Sequence, residues 1–221
     1  MDQAELYRIL SDADRQSGVF FKMRNNTLTE QDLDDINSIC NAIRKVIEEN
    51  TFIEKRWLST VRKLPLEMEI RSNGANAAKL SHCSKVAVEK LRQAAVEYLL
   101  DPPEPDNHNL PNTLADSVGS FLAKESSYLF GIRMRQQIDS EKARDLVSLL
   151  NSLETVASSN VVERELLGQL AIIPYVLYWN RHYFEKEQDK YDQISATINS
   201  ALDLLLDSCS NENRGSANSL S

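Results

Sequence analysis

The sequence reads as an all-α protein, an antiparallel bundle of six to seven helices formed as one body or as two packed halves. Glycine and proline number only 6 each in 221 residues, too few for the tight turns of an all-β chain. Apolar residues recur at steps of three and four along most of the chain, the period of one helical face. The one alternating stretch, Leu64, Leu66, Met68 and Ile70 around Glu67 and Glu69, has no second segment to pair with. It reads as an extended linker or one short strand.

Leu6, Ile9, Leu10, Ala13 and Phe20 predict a first helix over about 2–23, interrupted by Asn25 and Asn26. Thr29 followed by Asp32 gives a variant capping box and an acidic first turn, which open a second helix. In it Ile36, Ile39, Ile43, Val46, Asn50, Ile53 and Trp57 alternate in steps of three and four, a heptad row over about three heptads. Pro65 is expected to end or kink that helix near residue 63. Beyond a Ser-Asn-Gly turn, Ala78, Cys83, Val86, Ala87, Leu91, Ala94, Tyr98 and Leu99 mark a third helix over 76–100.

Leu114, Val118, Phe121, Leu122, Tyr128 and Leu129 mark a fourth helix, and Ala143, Leu146, Val147, Leu150 and Leu153 a fifth behind Asp139 and Ser140. Ser159 or Asn160 is positioned to cap a sixth, which Pro174 should bend or split. Tyr191, Ile194, Ile198, Ala201 and Leu205 form a second apolar row reaching about Asp207. The segment 101–112 holds four of the six prolines and reads as an extended connection. It divides an N-terminal half, 1–100, from a C-terminal half, 113–207, and the polar residues 208–221 read as a disordered tail. No repeat of solenoid period is evident.

The formal charge of -8 works against a general nucleic-acid binder, which needs a surplus of Lys and Arg. No signal-type segment or prenylation cysteine is seen, so a cytoplasmic protein is expected. Leu166–Trp179 is too short and interrupted for a membrane span and reads as a buried core helix. Cys40, Cys83 and Cys209 lack metal or redox spacing and read as free thiols. His82, His108 and His182 stand alone, His182 with Glu185 one turn on makes at most half a metal site, and no phosphate loop is present. Asp32 and Asp35 suit the helix dipole better than a divalent ion. No metal and no cofactor is expected.

Three groups remain as candidates. Lys55, Arg56, Arg62 and Lys63 gather around Trp57 and could contact phosphate. Tyr175, Tyr178, Trp179, Tyr183 and Phe184, with Arg181 and His182, form a dense aromatic segment that reads as a core wedge, a partner-binding surface or the wall of a ligand pocket opened at Pro174. The row Ile36, Ile39, Ile43, Val46, Asn50 and Ile53 could join two copies, with Asn50 fixing register, or Asn50 could end the helix. The expectation is a non-enzymatic protein-interaction protein, regulatory, adaptor or scaffolding, which either self-associates through this row or buries it as core. The rival is a small-ligand-binding or enzymatic bundle using the segment after Pro174, and a third reading is a nucleic-acid accessory protein using residues 55–63.

Overall fold

The computed structural model describes residues 1–73, 80–94 and 114–207, without the side chains of residues 59, 60, 62 and 71–73. The class is all-α, with two three-residue strands among the described residues. The chain divides into two compact units, Met1–Pro105 and Asp106–Ser221. The expected connection 101–112 and tail 208–221 lie outside the described residues.

In the N-terminal unit, α1 (Gln3–Asp14) starts where the Asp2 carboxylate accepts from the Glu5 backbone N–H at 2.7 Å, satisfying a donor the helix leaves over. The expected single helix to residue 23 is in fact two, because Gly18 is extended (φ -76°, ψ 163°) and caps α2 (Val19–Arg24). A Cβ at Gly18 would stand 2.2 Å from the Ala13 carbonyl oxygen, so this sharp turn demands glycine. Leu6, Leu10, Val19, Phe20 and Met23 go into the core.

Helix α3 (Asp32–Glu49) opens behind Thr29, whose N–H and hydroxyl donate to Asp32 at 2.8 and 2.7 Å, while Lys22 donates at 2.6 Å. The Lys22 ammonium and the Thr29 donors hold the Asp32 carboxyl at about 2, against the opposing effect of burial. A depressed acid stabilises the fold above its unfolded pKa and loses that contribution as pH falls through the folded value. Asp32→Asn is therefore expected to lower stability by about 1–2 kcal/mol near neutrality. In urea melts the gap to wild type should close between about pH 4 and pH 2.

The heptad row is not one helix. Asn50 is extended (φ -128°, ψ 129°) and its Nδ2 donates to the Val46 carbonyl at 2.7 Å, ending α3. Strand β1 (Phe52–Glu54) follows, then α4 (Lys55–Asn73). Gln3 ties β1 to α1: it donates to the Phe52 carbonyl and accepts from the Glu54 N–H, both at 2.7 Å. Pro65 does not stop α4: its fixed φ is helical, and the buried row Trp57, Val61, Leu64 and Met68 offsets the N–H that it removes and the crowding of its ring against the preceding turn. The expected alternation over 64–70 is helical instead, with Trp57, Val61, Leu64 and Met68 buried at steps of four, three and four and Ile70 exposed. Helix α5 (His82–Arg92) starts at the Ser81 cap rather than at 76, and packs on α3 and α4. Residues 76–79 and 95–100 of that expected helix lie outside the described residues.

In the C-terminal unit the expected fourth helix is also broken, into α6 (Leu114–Ala123) and α7 (Tyr128–Phe130). Ser127 caps α7, accepting from the Phe130 N–H at 3.2 Å and donating to the Leu122 carbonyl at 2.8 Å. A π turn, Gly131–Arg135, continues α7 and ends at left-handed Gln136 (φ 50°). Helix α8 (Ser140–Ser152) begins at Asp139, whose carboxylate accepts from the Glu141 and Lys142 N–H groups. A short α9 (Glu154–Ala157) precedes β2 (Val161–Glu163), so Ser159 caps no helix and accepts instead from the Val161 N–H. Helices α10 (Arg164–Ala171) and α11 (Ile173–Asn180) divide at Ile172, with Pro174 in the first turn of α11. A 3-10 segment, Arg181–Glu187, leads into α12 (Gln188–Asp207), which packs on α8.

The two units follow one plan. Ser17 and Ser126, Gly18 and Ser127, Phe21 and Phe130, Arg24 and Arg133, Glu54 and Glu163, Leu58 and Leu167, and Pro65 and Pro174 all stand 109 positions apart. Between them one extra residue enters at the π turn. Left-handed Asn26 and Gln136, buried Ile36 and Leu146, Ile43 and Leu153, Val46 and Val156, and finally Asn50 and Asn160 are then 110 apart. Both strands share one burial pattern, exposed, buried, intermediate. The packing corresponds too: α1 on α2 and α4, and α3 on α5, match α6 on α7 and α10, and α8 on α12.

Candidate functional site

The aromatic segment parts into core and surface. Tyr175, Val176 and Leu177 of α11 are buried, and Phe184 leaves helical geometry (φ -114°, ψ 28°) to turn inward. Phe184 stacks on Tyr191 at 4.7 Å between centroids, and the Tyr191 hydroxyl donates to the Leu177 carbonyl at 2.5 Å. These residues are the core wedge. Trp179 and Tyr183 keep 42% and 49% of their surface exposed, and Tyr178 lies between. The His182 ring lies 3.9 Å from the Tyr183 ring, and the Tyr175 ring 5.4 Å from Trp179. Arg181 grips Asp192 with two bonds of 2.7 Å, which raise the pKa of the one and lower that of the other.

Four of the apolar residues proposed as a self-association seam, Ile36, Ile39, Ile43 and Val46, are buried on α3, and Ile53 comes from β1 instead. Asn50 ends α3 through its bond to the Val46 carbonyl. The basic group does not assemble into one open phosphate surface. Lys55 is only 1% exposed. Arg56 binds Glu54 at 2.5 Å and lies 4.9 Å over the Tyr7 ring, Lys63 is half-buried, and the Arg62 side chain lies outside the described residues.

Burial pushes the Cys40 thiol up to about 11, so it is not a reactive thiolate. Cys209 and His108 lie outside the described residues, and His182 and Glu185 both face solvent. Among the described residues no three His, Cys, Asp or Glu side chains gather as metal ligands. No helix among them is long and apolar enough to cross a membrane.

A cavity of about 350 Å³ opens beside Pro174 on another side of α11, lined there by Ile172 and Val176 and by none of the aromatic residues of 175–184. Its remaining wall comes from Gly119, Leu122 and Ala123 of α6, Leu129 and Phe130 of α7, Arg133 and Met134 of the π turn, and Gln169 of α10. The size lies at the small end of ligand pockets, and the lining is apolar with two convergent polar groups. Gln169 overhangs Gly119 so closely that a Cβ there would stand 3.2 Å from its Cδ and Nε2. The sequence held one signal for this hollow: a glycine inside the helical stripe Leu114–Leu122. A second cavity of about 420 Å³ lies among α1, α2 and α3, but its Asp12 and Lys22 are already paired with Arg15 and Asp32.

No protein-family model, curated protein or solved structure matches the chain.

Proposed function

We propose that the protein is a non-catalytic interaction protein that recruits a protein partner through the exposed aromatic surface of its C-terminal unit. The observation that supports this is the outward placement of Trp179 and Tyr183, with the His182 ring tilted against the latter and Arg181 oriented by Asp192. Tyr, Trp and Arg dominate binding hot spots because large rigid side chains bury much area while losing little conformational freedom. The buried Tyr175, Phe184 and Tyr191 beneath them provide a firm base.

The test is affinity capture from the source cell with the wild type, with the Trp179→Ala/Tyr183→Ala double variant, and with Leu204→Ala. Leu204 is 72% exposed, so it controls for non-specific hydrophobic capture. The expected result is a partner held by wild type and Leu204→Ala and lost, by more than about tenfold, by the double variant at unchanged melting temperature. A second copy of the chain as partner would register by native mass spectrometry. A partner retained by the double variant overturns the assignment.

A further inference from the structure

We infer that the cavity beside Gly119 binds a single-chain carboxylate, the hydrocarbon chain lying against Leu122, Leu129, Phe130 and Val176 and the head group meeting Arg133. The comparison of the two units carries this. In the N-terminal unit, the position of Gly119 is held by Leu10, 2% exposed, and the position of Leu129 by the larger Phe20, fully buried. The C-terminal unit lacks the first side chain and has a smaller one in place of the second, and the space stands open at about 350 Å³.

The charge changes in the same place. Arg24 of the N-terminal unit is paired with Asp14. Its counterpart Arg133 is retained, but the counterpart of Asp14 is Ala123, and both Ala123 and Arg133 line the cavity. Among the described residues no carboxylate pairs with Arg133, and no hydrogen bond engages the Gln169 amide, although Arg135 next door is paired with Glu125 and lies 5.7 Å over Phe130. The cavity therefore lacks an apolar chain and a carboxylate, the two groups that Leu10 and Asp14 supply in the other copy. A guanidinium matches the planar carboxylate with two parallel bonds. Arg133 and Met134 both lie on the π turn Gly131–Arg135 and line the cavity, and such turns are frequent at functional sites.

The test is titration calorimetry of the full chain with decanoate and, as its uncharged counterpart, decan-1-ol, with the melting temperature as a second readout. Decanoate is expected to bind saturably and to raise the melting temperature. Arg133→Gln should weaken decanoate roughly tenfold to a hundredfold and leave decanol unchanged. Ala123→Asp, which restores the internal carboxylate, should do the same, and residue 123 is exposed enough for the fold to survive. Gly119→Leu should block both ligands by refilling the space. If it fails to fold by circular dichroism, Ala123→Trp at the cavity edge takes its place. No saturable decanoate binding, equal affinity for decanol, or binding that survives Ala123→Asp would each overturn the proposal.

Discussion

Ile43→Asp is expected to unfold the N-terminal unit. Ile43 has no exposed surface and sits in the middle of α3, which packs against α1, α2 and α5. A carboxylate there meets no cation on the apolar face formed with Ile36, Ile39 and Val46. Burying an unpaired charge costs several kcal/mol even after the group takes up a proton, comparable with the whole stability of about 5–15 kcal/mol for a domain. Ile43→Val, which only removes a methylene, should cost about 0.5–1.5 kcal/mol. Limited proteolysis should cut the Asp variant throughout 1–73 while the Val variant resists. A folded, monomeric Asp variant obtained from an oligomeric wild type would instead make the α3 row an interface.

Tyr191→Ala should remove about 3–5 kcal/mol from the C-terminal unit, the range for deleting a buried aromatic ring. The ring is 1% exposed and stacks nearly parallel on Phe184, at 13°. Tyr191→Phe keeps the stack and loses only the bond to the Leu177 carbonyl, for about 1–3 kcal/mol. Denaturant melts of the two variants thus separate packing from hydrogen bonding. Burial, with Tyr128 nearby, raises the Tyr191 hydroxyl pKa above the ordinary tyrosine range. A group whose folded pKa is raised contributes fully below its unfolded value and loses that contribution as pH climbs. The wild type should therefore weaken above about pH 10, and Tyr191→Phe should weaken less.

How much of this was legible depended on whether one residue or a whole packing arrangement decided the outcome. Asp139 announced α8, and Pro174 announced the division of α10 from α11, because each acts on its own backbone neighbourhood. The row Ile36 to Trp57 misled because a helix, a strand and a second helix deliver side chains to one core at spacings that mimic a continuous seam. Asn50 held the alternative, and a side chain that returns to the Val46 carbonyl chose it. Pro65 predicts an end or a kink because its missing donor is visible in sequence, whereas the apolar row Trp57, Val61, Leu64 and Met68 that carries α4 past it needs the neighbouring helices to be seen. The aromatic segment was visible as composition, but the inward turn of Phe184 comes from a break in helical geometry within the 3-10 segment that composition does not show. The cavity was hidden for a different reason: an absent side chain leaves no mark until its counterpart Leu10 is set beside Gly119.

The two-copy plan bears on how the chain is made. A helical unit with local contacts folds in about microseconds to milliseconds, while a ribosome adds about 5–20 residues per second. The residues of the first unit, Met1–Pro105, have thus settled before Asp106–Ser221 has been synthesised. Tandem relatives are prone to exchange equivalent segments as they fold. Here the order of synthesis works against the exchange, and so does divergence at corresponding positions, where Leu10, Asp14 and Phe20 of one copy answer to Gly119, Ala123 and Leu129 of the other.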